Sequence, residues 1–199
     1  AGEGRLVGPK TFQVNGDNYT GENVVLASGS YSRSLPGLEI GGRVITSEHA
    51  LQLEFVPNKV IVLGGGVIGV EFASIWRSFG AEVTIVEGLP NLVPNEEPVV
   101  SKALERAFRK RGIDFKTGVR FSGVEQHETG VVVTLESGEK LEAELMLVAV
   151  GRGPNTAGLG YEEQGINMER GWVLTNDRLQ TNIPGVYAAG DIVPGLQLA

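Results

Sequence analysis

The chain has 199 residues, a formal net charge of −7 and no cysteine. That length suits one large domain or two small ones. The missing cysteines exclude structural disulfides, thiolate metal sites and a cysteine nucleophile on this chain. Interspersed acids and bases with a negative excess argue against a nucleic-acid partner or an anionic membrane surface. No stretch is apolar over the length a membrane span requires, and no basic segment leads into an apolar core as in a secretory signal, so a cytoplasmic location is expected. The 29 glycines are about twice the usual share and punctuate apolar runs rather than forming low-complexity sequence. His49 and His127 stand in polar surroundings with no evident base–orienter partner and read as surface histidines.

In chain order, residues 11–14 suit a strand after a polar opening broken by Gly2, Gly4 and Gly8, and Asn15-Gly16-Asp17-Asn18 is a turn signal. Residues 23–27 form a buried-type strand, and residues 47–55 could hold a short helix. Pro57 then opens the most informative stretch. Val60, Ile61, Val62 and Leu63 are apolar on both faces, as in a buried parallel strand. Gly64, Gly66 and Gly69 follow as G-x-G-x-x-G. Ile68, Phe72, Ile75, Trp76 and Phe79 then recur at helical spacing and predict an apolar helix face, with Gly80 at the helix end. Residues 81–86 are a second strand, closed by Glu87.

A glycine triplet alone is weak, but strand, turn, helix, second strand and acid together define a dinucleotide-binding unit. The first glycine permits the tight turn, the second a close backbone approach to a pyrophosphate, and the third close helix–sheet packing. The helix start adds free N–H groups and partial positive charge. Glu87 has the spacing of the acid that meets a ribose 2′-hydroxyl, and no arginine follows in Gly88-Leu89-Pro90, so NAD is expected rather than NADP. The other reading is a glycine turn that only saves space.

Beyond a loop at 89–95, a helix is expected from about Glu96 to Arg111, with Glu96 and Glu97 in its first turn and Arg106, Arg109, Lys110 and Arg111 in its last. This polarity complements the helix dipole and accounts for the basic cluster without a phosphate. Gly112 ends it, and residues 113–116 make a third parallel strand. Residues 121–144 carry alternation and turn pairs at Thr129-Gly130 and Ser137-Gly138, predicting an antiparallel meander in place of a crossover helix. Residues 145–150 return to the sheet, and short strands are expected at 172–174 and 186–189. Three strands end on small residues, at Ala27-Ser28-Gly29-Ser30, Ala149-Val150-Gly151-Arg152 and Ala189-Gly190-Asp191. In open α/β sheets ligands bind beyond such ends, which suggests more than one dinucleotide surface.

With the stretches ASGSYSRSLPG (27–37), LGGGVIGVEFASIWRSFGAEVTIVE (63–87), AVGRGPNT (149–156) and NIPGVYAAGDIVPGLQLA (182–199), the chain resembles the middle of the dihydrolipoamide dehydrogenases, a branch of the flavoprotein disulfide reductases. The resemblance implies an α/β fold in which a Rossmann-like parallel sheet with helices and an antiparallel meander, the NAD domain at 57–152, is inserted into an FAD-binding domain represented by 1–56 and 153–199. It implies FAD contacts from Gly4, Ser28, Gly29, Ser30 and Asp191, with Gln197, Leu198 and Ala199 lining the flavin. It implies NAD contacts from Gly64, Gly65, Gly66, Val67, Ile68 and Gly69 at the pyrophosphate, Glu71 and Gly151 near the nicotinamide, Glu87 at the ribose and Val119 beside the adenine. Arg152 would lie between the cofactors.

The family's first glycine motif, its redox cysteine pair and its C-terminal interface domain with a histidine–glutamate base have no counterpart in these residues, so the chain reads as a central fragment. It is expected to be inactive alone, with no catalytic residue and no metal site of its own. The intact parent would be a homodimeric, NAD-dependent, FAD-containing dihydrolipoyl dehydrogenase acting on a dihydrolipoamide-bearing protein. Related readings are a mercuric reductase, thiol reductase or transhydrogenase, and a reading of another class is a non-catalytic NAD(H)-binding module.

Overall fold

The computed structural model describes residues 2–195. Its strands and helices run β1 (Gly4–Gly8), β2 (Thr11–Val14), β3 (Asp17–Thr20), β4 (Val24–Leu26), β5 (Ser30–Ser32), β6 (Val44–Ile45), α1 (Ser47–Ala50), β7 (Lys59–Leu63), α2 (Val67–Ser78) and β8 (Glu82–Glu87). They continue as α3 (Pro98–Arg111), β9 (Asp114–Thr117), β10 (Phe121–Gln126), β11 (Val131–Leu135), β12 (Lys140–Ala143), β13 (Leu145–Val148), β14 (Arg152–Pro154), β15 (Met168–Glu169), β16 (Trp172–Val173) and β17 (Val186–Ala188). The chain divides into two compact units, one of residues 2–31 with 152–195 and one of residues 32–151.

The unit of residues 32–151 is built on a five-stranded sheet of order β6-β13-β7-β8-β9, with parallel pairing throughout. Successive residues alternate between its faces, as the two-residue strand period requires. Val60 and Val62 join one core cluster, with Val70, Ala73 and Trp76 of α2 and Phe108 of α3. Ile61 and Leu63 join the other, with Val131, Val133 and Leu135 of β11. Helices thus cover one face and the antiparallel β10-β11-β12 meander covers the other, so both faces are buried and the strands are apolar throughout. This is the expected α/β architecture. The grouping of 32–56 with this unit reflects β6, whose Val44 and Ile45 pair with Met146 and Leu147. The two compact units divide between Tyr31 and Ser32.

Two details differ from expectation. The buried residues of α2 are Gly69, Val70, Ala73 and Trp76, whereas Ile75 and Phe79 are exposed, at 44% and 66%. The helix packs through its two small residues, which brings its axis close to the sheet and rotates Ile75 and Phe79 outward. Helix α3 begins at Pro98, so Glu96 and Glu97 precede its first turn. Proline is well suited to the first helical position, where its missing N–H costs nothing. Gly112, at φ 73°, ends the helix in the left-handed conformation.

The unit of residues 2–31 and 152–195 contains the antiparallel β1-β2-β3 sheet, the parallel pair β4-β17 and the small pairs β5-β14 and β15-β16. Leu6, Leu26, Tyr161, Ile166, Val186 and Ile192 are among its core residues. Asn15 and Gly16, at φ 53° and 93°, turn β2 into β3. Such paired positive φ values match the right-handed twist of a hairpin.

Where β12 gives way to β13, the Glu144 carboxylate accepts the Asn58 side-chain amide at 2.6 Å and the Asn58 backbone N–H at 2.8 Å. These bonds, the side-chain one first, hold its carboxyl below the ordinary carboxylate range; the Arg43 charge adds to the effect and partial desolvation opposes it. A lowered folded-state value means that the contribution to stability is present above the unfolded pKa and is lost as pH falls through the folded one. The melting-temperature difference between the wild type and Glu144→Gln is therefore expected to be largest near neutrality and to shrink as pH falls through the carboxylate range. A difference that stays constant over that range would show that the carboxylate charge is not what holds Asn58.

Candidate functional site

The glycine turn joins β7 to α2 at the C-terminal end of the parallel sheet, where ligands of open α/β sheets bind. Gly64 donates its N–H to the Val86 carbonyl at 2.8 Å, and its φ of 111° belongs to glycine. A Cβ there would overlap the Ala149 carbonyl. Gly65 donates to Glu87 Oε2 at 2.6 Å, and its carbonyl accepts the Val93 N–H at 2.7 Å. A Cβ on Gly69 would overlap the Gly64 carbonyl oxygen, so this glycine sets the helix–strand distance.

Gly66 is different. Its φ of −73° suits any residue, and among the described residues no atom beyond its own chain neighbours and helix backbone lies within 4 Å of where its Cβ would be. The fold itself does not need a glycine there. Helix α2 has no side-chain cap and no acid in its first turn. Val70 N–H on the Gly66 carbonyl is its first intrahelical bond, and the N–H groups of Gly66, Val67, Ile68 and Gly69 have no partner among the described residues. Unmet donors, an aligned helix dipole and an open backbone face fit an anionic phosphate group.

Glu87 stands beside this cradle. Its second oxygen accepts the Leu89 N–H at 2.7 Å, and its carbonyl accepts the Val119 N–H at 3.1 Å. Each carboxylate oxygen keeps a further lone pair. The turn, Glu87 and Val119 thus come together on one rim of the sheet. Glu71 is exposed on α2, and Gly151 is exposed beyond β13 with φ 121°, its carbonyl accepting the Arg33 N–H at 2.9 Å.

The other unit gathers a second constellation where β4 and β17 run parallel. Ser30 Oγ donates to Asp191 Oδ2 at 2.6 Å, and Arg152 donates through Nε to Ser30 Oγ at 2.6 Å and through Nη2 to the Ser30 carbonyl at 2.9 Å. The Gly29 carbonyl accepts the Asn155 N–H at 2.9 Å. Tyr161 donates to Ser28 Oγ at 3.3 Å, and burial pushes its phenol up, so it remains a neutral donor. Two of the three glycine-ended strands therefore meet here, while the third, β13, belongs to the sheet of the other unit. Gly4 lies in β1 opposite Val14, and no hydrogen bond joins it to this cluster among the described residues. Gln197, Leu198 and Ala199 lie outside the described residues.

His49 and His127 are both exposed; His49 Nδ1 lies 2.8 Å from Thr46 Oγ1 at the start of α1. Three residues next to the turn have no signal in the sequence: Val93, whose φ is 43°, Ser101, which donates to the Val93 carbonyl, and Glu105, which accepts the Leu92 N–H.

The whole chain, residues 1–199, matches the family of pyridine nucleotide-disulphide oxidoreductases and belongs to it. It is 38% identical to the dihydrolipoyl dehydrogenase of Bacillus subtilis over 217 residues, covering 100% of this chain and 46% of that protein. It is 38% identical over 210 residues to the leghemoglobin reductase of Glycine max, covering 100% of this chain and 40% of that protein. Among solved structures, the HOCl-induced flavoprotein disulfide reductase RclA from Escherichia coli superposes with a TM-score of 0.91 at 32% identity, over 99% of this chain and 46% of that one. The chain thus spans somewhat under half the length of these relatives. No described helix is long and apolar enough to cross a membrane, and no described group of residues could hold a metal ion.

Proposed function

We propose that this chain is the NAD(H)-binding portion, with part of the FAD-binding portion, of a flavoprotein dihydrolipoamide dehydrogenase. The observation that carries the proposal is Gly66, a glycine without conformational or steric need, at the first of four N–H groups that have no partner among the described residues. In this reading the N–H groups of 66–69 receive a pyrophosphate, and the free lone pairs of Glu87 receive the adenosine ribose hydroxyls. Val119 flanks the adenine, and Glu71 and Gly151 approach the nicotinamide. FAD is assigned to Gly4, Ser28, Gly29, Ser30, Arg152 and Asp191, which supply hydroxyl, carboxylate and guanidinium groups for its ribityl and phosphate oxygens. Residues 57–152 would then form the NAD part and residues 1–56 with 153–199 the FAD part.

The cofactors, when bound, supply hydride exchange between the nicotinamide and flavin rings. What the chain contributes is binding and orientation. With no cysteine, it has no thiolate to offer a disulfide. In the intact parent, reduction of the flavin would depend on a dihydrolipoyl group carried by a partner protein, and the parent would act as a homodimer in the cytoplasm.

Titration with NADH and NADPH tests this reading. NADH is expected to bind at least about tenfold more tightly, because the Glu87 carboxylate repels a 2′-phosphate. Glu87→Gln removes that repulsion and is expected to bring the ratio of the two dissociation constants to within about threefold, with NADH itself weakened. A clear preference of the wild type for NADPH would overturn the assignment of Glu87. A second reading, another flavoprotein disulfide reductase, is favoured by the 0.91 superposition on RclA. Turnover of dihydrolipoamide by the parent protein separates the two.

A further inference from the structure

Val93 has a φ of 43°, in the left-handed region where a β-branched residue is an outlier, and it is only 7% exposed. Such a conformation persists only where its surroundings over-determine it. The surroundings here are specific. Glu105 of α3, with a side chain 13% exposed, accepts the Leu92 N–H at 3.1 Å. Ser101 of α3 donates its hydroxyl to the Val93 carbonyl at 3.3 Å, and the Glu96 N–H reaches the same carbonyl at 2.9 Å. The Leu92 side chain is fully buried beneath the glycine turn, where a Cβ on Gly65 would lie 2.7 Å from its Cδ2.

The consequence falls on one peptide group. The Val93 N–H holds the Gly65 carbonyl at 2.7 Å while Glu87 holds the Gly65 N–H. A trans peptide is planar, with its C=O and the following N–H pointing in opposite directions. Fixing the Gly65 carbonyl toward Val93 therefore turns the Gly66 N–H away from it, toward the open face. Between two glycines this peptide has little intrinsic preference. If it flipped, a carbonyl oxygen would face an incoming phosphate in place of a donor.

We propose that Val93, clamped by Glu105 and Ser101, is a positioning residue for the phosphate cradle. Its strained backbone fixes the orientation of the Gly65–Gly66 peptide and so the affinity for the pyrophosphate of a dinucleotide. This rests on the nucleotide reading given above. Helix α3, which touches no ligand in that reading, thereby acts on phosphate binding through two residues of the preceding loop, Leu92 and Val93.

The test uses the full 199-residue chain, with ADP-ribose and adenosine as calorimetric probes and the Gly66 amide resonance as a probe of the ligand-free turn. Glu105→Met keeps the side-chain length but removes the acceptor for the Leu92 N–H, whereas Glu105→Gln retains it. Glu105→Met is expected to weaken ADP-ribose roughly tenfold, leave adenosine within about twofold and move the Gly66 amide signal. Glu105→Gln is expected to restore all three. A purely structural loss would weaken both ligands together. If Glu105→Met does not fold, Ser101→Ala gives the same pattern at smaller amplitude. An equal loss for both ligands, or an unmoved Gly66 signal, overturns the brace while leaving nucleotide binding intact. Failure of the wild type to bind ADP-ribose overturns the nucleotide reading, and the brace with it.

Discussion

Gly69→Ala is expected to lower the melting temperature by roughly 5–10 °C, the effect of about 2–3 kcal/mol of overpacking in a chain of this size. Gly69 is the third residue of α2 and is buried. An alanine Cβ would overlap the Gly64 carbonyl oxygen and lie 3.0 Å from its carbon and 3.3 Å from Val62 Cγ1. Neither neighbour can yield. The Gly64 backbone is tied to Val86 at 2.8 Å, and Val62 is a fully buried residue of the central strand. The helix would have to lift at its start, yet Val70, Ala73 and Trp76, at 8%, 0% and 4% exposure, seat it on the sheet. The N–H groups that point from its first turn would be displaced together, so NADH affinity is expected to fall at least about tenfold as well. Differential scanning calorimetry and an NADH fluorescence titration check both parts. An unchanged melting temperature would mean that α2 shifts freely on the sheet, contrary to the packing described.

The central sheet was legible because its strands are apolar on both faces and its turns carry glycine. The 59–87 unit needs no long-range information, since strand, turn and helix follow one another. The hairpin of β1, β2 and β3 was legible only in part. All four residues of β3 are exposed, so Asp17 to Thr20 show no apolar alternation, and only Asn15-Gly16 marks the reversal. The buried face of α2 is hidden in the sequence for a related reason. Counting large apolar residues favours Ile75 and Phe79, but helix–sheet distance is set by small ones, and Gly69 and Ala73 select a different face. Val93 lay beyond any sequence pattern, because nothing in Asn91-Leu92-Val93-Pro94 indicates a left-handed valine. Its conformation is imposed by Glu105 and Ser101 from the following helix.

Glycines in one motif can thus serve different ends, and Gly66→Ala separates them. Gly64 and Gly69 are required by atoms of the chain itself. Gly66 is not: its φ is −73°, its ψ is −174° and the space beside it is open. Replacing an N-cap glycine by alanine weakens the cap by at most about 1 kcal/mol, while the unfolded chain loses about 0.4–1 kcal/mol of conformational freedom. These effects oppose one another, so the melting temperature of Gly66→Ala is expected to stay within about 2 °C of the wild type. The binding result should be very different. If a pyrophosphate passes against this Cα, as the four unpartnered N–H groups suggest, a methyl group there occupies its path, and NADH affinity is expected to fall roughly 100-fold. Adenosine, which would meet only the rim of Glu87 and Val119, should bind within about threefold of the wild type. Calorimetry with NADH and adenosine measures both. Wild-type NADH affinity in Gly66→Ala would mean that nothing approaches this face, and the glycine turn would then be a device of packing alone. A stable protein that has lost NADH but kept adenosine would locate the phosphates at the one glycine of the turn that the fold does not require.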